Sequence, residues 1–251
     1  MIIKEISKEE KLKEKFARYC TENNIEINPI AEGSYIRTYG GKAPDPTDDL
    51  YRNIPAYSNS RIGKLEKELR GIQRNILPYG AFEFGKIFHQ QLLEPQLCEL
   101  GQYYLTPAKL RDMKGMLASV RDSEYADLFE HESEENTRPL YEQIAIWTDR
   151  VTKLPCKAKI DLQTGVYIYD LKTTRAHSQE MFEQMAIRYQ YDRQAAFYLD
   201  GTRAKVFVLI AVQKQAPYQV FTIQYTSRMK AIDKARRRYR FILSKVGKGR
   251  W

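Results

Sequence analysis

The chain has 251 residues, 43% hydrophobic and 12% aromatic, a composition typical of a folded globular protein with one sizeable core. It lacks the roughly 18 consecutive apolar residues that a membrane-spanning helix needs, and its first residues do not resemble a signal peptide. The net charge is +9, and three widely separated cysteines argue against a disulfide framework or a zinc cluster and favour the reducing cytoplasm.

The part of the chain before residue 140 is predicted to be mainly helical, because its apolar residues recur at spacings of three and four. Ser58-Asn-Ser60 offers N-terminal caps, and Pro107 suits a first helical position. Segments 38–50 and 122–138, rich in breakers or acidic residues, are expected to be loops or spacers. The predicted helices are 7–20, 61–72, 80–94 and a fourth that begins after Thr106.

Two of these helices carry apolar stripes that should face the core. In helix 61–72 the stripe consists of Ile62, Leu65, Leu69 and Ile72. In helix 80–94 it consists of Phe84, Phe88 and Leu92. His89 follows Phe88, and a single histidine on an amphipathic helix is more often structural than a metal ligand.

Strands dominate after residue 140, and one long helix lies among them. Alternating or wholly apolar runs predict five strands and a helix over about 178–200. A helix between strands favours a mixed α/β sheet with at least one crossover connection. The predicted strands are 140–149, 157–162, 166–172, 205–213 and 218–225.

The stretch from 157 to 172 predicts a β-hairpin that carries acids and lysines. Gln163-Thr164-Gly165 supplies the turn, because glycine readily takes positive φ. Side chains two apart on a strand share a face, so Asp170 and Lys172 project together from the second strand, away from Leu171. On the first strand one face is expected to hold Lys157, Lys159 and Asp161, and the other Ala158, Ile160 and Leu162.

Asp161 and Asp170 of this hairpin are expected to lie close enough to share one hard cation, with Lys172 beside it. A surface hairpin with solvated charges gives the same pattern, since a D-x-K sequence on a strand is common. Asp170, however, ends an apolar run and shares a face with Val166 and Ile168. A carboxylate in such a place is expected to be partly buried and to need a metal or another cation as partner.

Two further segments carry polar residues that could serve the same site. Glu142 adds a third carboxylate if strand 140–149 neighbours the hairpin, whereas an exposed edge glutamate is the alternative. The 178–200 helix has a polar stripe at intervals of four. Such a stripe can bind phosphates or hold the catalytic lysine, although a structural stripe has the same periodicity. It is formed by Gln190, Gln194 and Tyr198.

The C-terminal segment accounts for the whole net charge. Residues 226–251 contain ten Lys or Arg and the single acid Asp233. Such an excess is typical of a segment that binds phosphates, and the solvated face of an ordinary helix is an equal alternative. Arg236-Arg237-Arg238 would face outward from a helix whose packed side consists of Ile232, Ala235, Tyr239, Ile242 and Val246.

Taken together, these segments resemble the PD-(D/E)xK nuclease superfamily. The closer likeness is to the exonuclease VIII (RecE-type) group of phage and prophage recombination exonucleases. The D-x-K sequence alone is weak evidence, but the whole set follows the family's order over residues 51–225. The matching segments are 57–60, 84–95, 142–147, 154–161, 170–174 and 191–198.

The resemblance implies a restriction-endonuclease-like α/β (α+β) fold, in which a mixed central sheet is flanked by helices. Residues 51–225 would be the nuclease core, 1–50 an N-terminal extension of extra helix and loop, and 226–251 a basic C-terminal helix of the same domain. The implied activity is that of an Mg²⁺- or Mn²⁺-dependent deoxyribonuclease on linear double-stranded DNA, with 5′ to 3′ polarity, that exposes single strands for recombination. Implied partners are DNA, a single-strand annealing protein and further copies of the chain in a ring, without a membrane, in the cytoplasm of a bacterium or a phage-infected cell.

Carried over residue by residue, the resemblance also assigns the site. Lys172 would be the catalytic lysine, which orients the attacking water and stabilises charge on the phosphate. Glu142 matches the family's upstream acid, and Gln194 and Tyr198 match its helix motif. The implied metal ligands are His89, Asp161, Asp170 and the Leu171 carbonyl. The expected contacts to the DNA backbone are Lys157, Lys159, Arg236, Arg237 and Arg238.

Three other functions remain open from the sequence. A RecB-like or CRISPR-associated nuclease of the same superfamily would act on single strands, but these often hold an iron–sulfur cluster through four cysteines. A catalytically inactive DNA-binding module would be expected to lack an acid or the lysine, whereas this chain has the full set. An RNA-binding module would need a stacking motif, and none of the expected kind is found.

Overall fold

A single mixed sheet forms the centre of the protein. The computed structural model describes residues 7–23, 25, 34–36, 46–72, 79–95, 105–129 and 139–247. Among these residues six strands follow one another across the sheet in chain order, antiparallel throughout except for the parallel pair β4 and β5. The strands are β1 Ser34–Ile36, β2 Leu140–Thr148, β3 Pro155–Thr164, β4 Tyr167–Thr174, β5 Val206–Gln213 and β6 Val220–Thr226.

Helices cover both faces of the sheet, and capping side chains mark where several of them begin. Ser7, Ser58, Thr106 and Ser178 each accept a hydrogen bond from the backbone N–H three residues later. None of the helices within the described ranges is long and apolar enough to cross a membrane. The helices are α1 Lys8–Glu22, α2 Pro46–Asn53, α3 Asn59–Leu69, α4 Tyr79–Leu93, α5 Pro107–Arg121, α6 Gln179–Tyr189, α7 Tyr191–Gly201 and α8 Lys230–Gly247.

The core is divided between the two faces. On one face, α3, α6, α7 and α8 pack on the sheet, and Phe197 of α7 contacts both Trp147 and Tyr239, with ring centres 4.7 and 5.4 Å away. On the other face, α4 and α5 cover β4 and β5, while α1 and the end of α2 cover β2. Because β4 and β5 are parallel, the chain must cross over between them, and α6 and α7 make this connection. The predicted mixed sheet flanked by helices is confirmed.

The predicted helix over 178–200 is wrong in one respect, since it is two helices. Gln190 has φ 59° and ψ 46°, a left-handed conformation that ends α6 and begins α7. Its side chain contacts Arg193 and donates a hydrogen bond to Glu66 Oε1 at 3.3 Å. These tertiary partners hold a conformation that helical periodicity does not reveal, so Gln190 does not continue the stripe of Gln194 and Tyr198.

Helix and loop boundaries also differ from prediction. Helix α3 ends at Leu69, so Leu69 and Ile72 are 38% and 50% exposed and do not reach the core. Helix α2 occupies part of the loop predicted over 38–50, and β1 was not predicted. Residues 130–138 of the predicted acidic spacer lie outside the described residues, as does Cys98.

Strand β3 changes the layer that it faces near Asp161. Ala158 and Ile160 pack with α7 and α8, whereas Leu162 packs with α4 and α5. The prediction that these three residues share a face is therefore wrong at Leu162. Val166, predicted to begin a strand, precedes β4 and is 45% exposed.

The terminal helices pack on the same body as the predicted nuclease core. Phe16 and Cys20 of α1 lie in one cluster with Ile144 and Ile146 of β2. In α8 the residues predicted to pack are buried or, for Val246, partly buried, and the helix lies against α7. The apolar spacing in the basic segment thus predicts its packed side correctly.

Candidate active site

The candidate site lies where β3 and β4 separate. Their backbone pairing covers three residue pairs beside the turn and ends at Leu162 and Tyr169. At this point the backbone N–H of Leu171 donates to Asp161 Oδ2 at 2.8 Å, so a side chain replaces the backbone acceptor of the neighbouring strand. We call this place, at Asp161 and Asp170, the strand fork. Because β3 and β4 diverge here, side chains from helices on both faces reach it.

Asp170 is the most enclosed acid of the fork, with 2% of its surface exposed. Gln194 of α7 donates from Nε2 to its Oδ1 at 2.6 Å, and Lys172 Nζ contacts its Oδ2. Burial raises the pKa of Asp170 to about 6, although the Lys172 charge opposes this shift. The carboxylate is therefore held by one amide and one cation, as a buried charge requires.

Lys172 stands between the acids and an aromatic ring. Its ammonium contacts Asp170 and lies 5.6 Å from the centre of the Tyr191 ring. Burial tends to lower the pKa of Lys172, but Asp170 and Asp161 outweigh that effect and raise it. The side chain is thus cationic at neutral pH and can stabilise negative charge beside the fork.

His89 of α4 approaches the same place from the other face of the sheet. Its Nδ1 lies 3.5 Å from Asp161 Oδ2. Burial and the nearby Lys172 charge lower the pKa of His89 to about 4, so the imidazole is neutral at neutral pH. Neutral imidazole is the form that ligates metals. The helical pattern favoured a structural role for His89. The structure instead places His89 next to Asp161, which the family resemblance also implies as a metal ligand.

A second acid–lysine pair adjoins the fork. Glu142 of β2 forms an ion pair with Lys159 of β3, and its φ of 51° is unusual for a residue that is not glycine. Burial raises the pKa of Glu142, with Asp161 and Glu94 acting in the same direction and Lys159 against it. Strand β2 pairs with β3 of the hairpin, so the condition under which Glu142 would add a third carboxylate is met. Backbone strain of this kind is concentrated at functional sites.

Glu94 was missed by the sequence reasoning. It follows α4 directly and is 8% exposed, so another carboxylate is buried near Glu142. The available signal in the sequence was an acid that directly follows two leucines, Leu92 and Leu93, of which Leu92 belongs to the apolar stripe of the helix. That pattern is not distinctive, because an acid at a helix end is usually solvated.

Helix α7 positions the fork. The Tyr198 hydroxyl donates to the Lys159 carbonyl at 3.1 Å, which ties β3 to the helix, as Gln194 ties β4. Arg193, which directly precedes Gln194, donates to Glu66 of α3 at 2.7 Å, and both side chains are 7% exposed. The helix motif therefore holds the two diverging strands.

Lys157 has a different role from the one predicted. It is 7% exposed, and its Nζ donates to the carbonyls of Tyr51, Arg52 and Ile54 at 2.6, 3.3 and 2.7 Å. These carbonyls lie at the C-terminal end of α2, where helices leave acceptors without intrahelical partners. With its three donors engaged inside the protein, Lys157 does not support the predicted contact to DNA.

The three arginines of α8 do not share one environment. Arg236 donates to Asp200 at 2.6 Å and to Asp233 at 2.8 Å, and Arg238 donates to Asp192 at 2.9 Å. Arg237, by contrast, is exposed. The prediction that all three face outward is corrected, since two of them are held in ion pairs with the body or with their own helix.

The residue types at the fork fit a hard divalent cation, since carboxylates and neutral imidazole are suitable ligands. As placed, the described residues contain no group of three His, Cys, Asp or Glu side chains that could hold a metal ion. Asp170 and Asp161 are instead engaged by Lys172, Gln194 and the Leu171 N–H. A bound cation would share these carboxylates with Lys172.

A comparison with known protein families identifies the family to which the chain belongs. The model of the PDDEXK-like domain of unknown function (DUF3799) matches residues 64–248. The chain belongs to this family. The PDDEXK-like match contains every residue assigned to the fork and the whole of α8, which confirms the superfamily resemblance found in the sequence.

A solved structure with a TM-score above 0.5 shares the fold of this PDDEXK-like domain. A candidate exonuclease from Eubacterium rectale is 15% identical, covers 84% of this chain and 89% of its own length, and superposes with a TM-score of 0.55. A phage related exonuclease from Haemophilus somnus and an alkaline exonuclease from Laribacter hongkongensis are 10% and 9% identical. They cover 83% and 80% of this chain and 89% and 93% of their own, with TM-scores of 0.37 and 0.39. No curated protein matches the chain by sequence.

Proposed function

We propose that this PDDEXK-like protein is a metal-dependent deoxyribonuclease that hydrolyses phosphodiester bonds. The observation that carries the proposal is the convergence of Asp161, Asp170 and Lys172 at the strand fork, with His89 3.5 Å from Asp161. A cationic lysine beside buried acids matches what phosphodiester hydrolysis requires, which is a metal ligand set next to a stabiliser of negative charge.

Asp161, Asp170, His89 and the Leu171 carbonyl would hold Mg²⁺ or Mn²⁺, which supplies Lewis-acid activation of the phosphate and a more acidic bound water. Lys172 orients the attacking water and stabilises the charge that develops on the phosphate. Gln194 fixes the orientation of Asp170 through its 2.6 Å hydrogen bond, and Tyr198 fixes β3. Lys159, paired with Glu142, places a second cation at the edge of the site.

The finer substrate assignment is also a proposal. Family resemblance supports linear double-stranded DNA, degraded from 5′ to 3′ to expose a strand for recombination, with an annealing protein and a ring of subunits as partners. A nuclease of the same superfamily that acts on single strands is the alternative. The exposed Arg237 supports contact with a nucleic acid backbone but does not distinguish these substrates.

The test is digestion of 5′- and 3′-labelled linear duplex DNA beside closed circular DNA, with Mg²⁺, with Mn²⁺ and with chelator. We expect cleavage of linear DNA only when the metal is present. Lys172→Ala and Asp170→Asn should each reduce the rate by at least roughly 100-fold while DNA binding persists. Lys205→Ala, which removes an exposed lysine just before β5, is the matched control. Metal-independent cleavage, or wild-type rates in either fork variant, would contradict the proposal.

A further inference from the structure

Two tyrosines flank the break between α6 and α7, next to the catalytic lysine. Tyr189 ends α6 and Tyr191 begins α7, and their ring centres are 5.9 Å apart at 44°. Lys172 Nζ lies 5.6 Å from the centre of the Tyr191 ring. Tyr189 is 52% exposed. We call the two rings the aromatic step, because they lead from the fork to solvent.

The aromatic step depends on the helix break. In a continuous helix, residues two apart point in different directions and do not face each other. The left-handed Gln190 between the tyrosines changes the chain direction and brings their rings together. Such a conformation costs roughly 1–3 kcal/mol in a residue other than glycine, so the surrounding structure must hold it.

Buried contacts supply that support. Gln190 donates to Glu66 and its side chain contacts Arg193, while Arg193 and Glu66 form a buried ion pair at 2.7 Å. Asn59 accepts a further hydrogen bond from Arg193 at 3.0 Å. The break between α6 and α7 is therefore held by residues of α3. It does not need contacts of the Tyr189 ring, so that ring can remain exposed.

An exposed aromatic ring beside a phosphodiester-cleaving site has a specific use. Every nucleic acid base has a flat π-face, and stacking on an aromatic side chain contributes about 1–3 kcal/mol per base without sequence preference. Stacked bases of a strand are about 3.4 Å apart. The Lys172 ammonium lies 5.6 Å from the Tyr191 ring, and that ring lies 5.9 Å from the Tyr189 ring, so both rings are within a few stacked bases of Lys172. Inside a duplex both faces of a base are covered by its stacked neighbours, so this contact needs a base at a strand end or in an unpaired stretch.

We propose that the aromatic step stacks an unpaired base of the strand being cut, so that the substrate is a DNA strand opened at its end. This inference rests on the proposed nuclease function and narrows its substrate. The ring of Tyr189 provides the stacking surface, and Tyr191 supports it from the side of Lys172. The step recognises a strand end by the absence of pairing and not by base identity.

The test is a binding cycle with wild type and Tyr189→Ala. Equilibrium affinity is measured in chelator, by fluorescence anisotropy, for a labelled duplex with four unpaired nucleotides at one end and for versions with an abasic residue at each of those positions. We expect Tyr189→Ala to weaken binding of the frayed duplex roughly tenfold. At one of the four positions, the abasic residue should weaken wild-type binding by the same factor as Tyr189→Ala does. With the abasic residue at that position, Tyr189→Ala should cause no further loss of affinity.

Two control variants separate stacking from other causes. Tyr189→Phe keeps the ring and should retain wild-type affinity. Tyr167→Ala removes a 40% exposed tyrosine from another stacked pair, Tyr167 and Tyr169, at the start of β4, and should change nothing. An unchanged affinity of Tyr189→Ala, or additive losses at every abasic position, would overturn the inference.

The outcomes of this cycle differ from those of the cleavage assay. If binding shows the expected coupling but wild type fails to cleave DNA with metal, the nuclease proposal is wrong and the stacking site stands as a binding site. If wild type cleaves but the losses are additive, the stacking inference alone is overturned.

Discussion

Asp170 shows how single side chains are arranged at the strand fork. It is enclosed on all sides, and its two oxygens are occupied by an amide from α7 and an ammonium from its own strand. Each partner removes part of the free-energy cost of burying the Asp170 charge, so the loss of either partner would raise that cost. The D-x-K pattern predicts the acid and the lysine, but Gln194 is brought to them only by folding.

Gln194→Leu tests whether the site depends on the hydrogen bond from Gln194 to Asp170. It removes one donor to a buried carboxylate, a change worth roughly 1.5–3 kcal/mol, so we expect DNA cleavage to fall about 10- to 100-fold with the fold retained. Cleavage rates and circular dichroism spectra are compared with Gln184→Leu, which changes an exposed glutamine on α6. Equal activity of Gln194→Leu and wild type would contradict the assigned role.

Lys157→Met tests whether Lys157 stabilises the fold through its buried hydrogen bonds at the end of α2. Three carbonyls at the end of α2 would lose their buried donor, which should lower the free energy of unfolding by about 3 kcal/mol. Urea unfolding measures the change, with Lys205→Met as the exposed control. We expect the cleavage rate of the folded protein at low temperature to be unchanged. Unaltered stability together with weaker DNA binding would instead support the original prediction.

At the level of secondary-structure elements, the junction of α6 and α7 shows what local periodicity can and cannot predict. Helical periodicity correctly predicts that the segment is helical, and the spacing of Gln194 and Tyr198 correctly places both on one helix face. It does not reveal the break at Gln190, because Gln190 has ordinary helical propensity and its left-handed conformation is held by Glu66, distant in sequence. A contact between segments more than 100 residues apart leaves no local signal.

Arg193→Met tests this junction. It leaves the Glu66 carboxylate with the Gln190 amide and with Arg70, 3.0 Å away on the more exposed side, so we expect a loss of roughly 3 kcal/mol in unfolding free energy. Cleavage should fall as well, since Gln194 follows Arg193 directly. Arg188→Met, at an exposed position of α6, serves as the comparison. A variant that unfolds at the wild-type urea concentration would show that the ion pair does not hold the break.

At the scale of the whole molecule, the charge excess of the C-terminal segment is partly used inside the protein. Asp200 binds Arg236 and Arg240, and Asp149 binds Arg240, so α8 is fastened to α7 and to the end of β2. Net charge alone suggested a surface for a polyanion. The structure assigns part of that charge to packing and leaves Arg237 exposed.

Arg237→Ala should therefore affect binding without affecting the fold. We expect weaker DNA binding of all sequences and a slope of log affinity against log salt that is smaller by about one. Arg236→Ala should instead lower thermal stability, because it breaks the contacts with Asp200 and Asp233. Salt titrations of binding and thermal melts distinguish the two, and an unchanged salt slope for Arg237→Ala would exclude it from the DNA contact.

The amino-acid sequence alone was enough to predict the mixed sheet, the order of its elements after residue 140, the D-x-K strand and the family. These follow from local periodicity, turn chemistry and the order of motifs along the chain. Three features became known only from the folded chain: where β3 and β4 separate, which lysines and arginines are engaged internally, and that Tyr189 and Tyr191 meet next to Lys172. They depend on contacts between distant segments, and the periodicity of a single strand or helix contains no information about its partners.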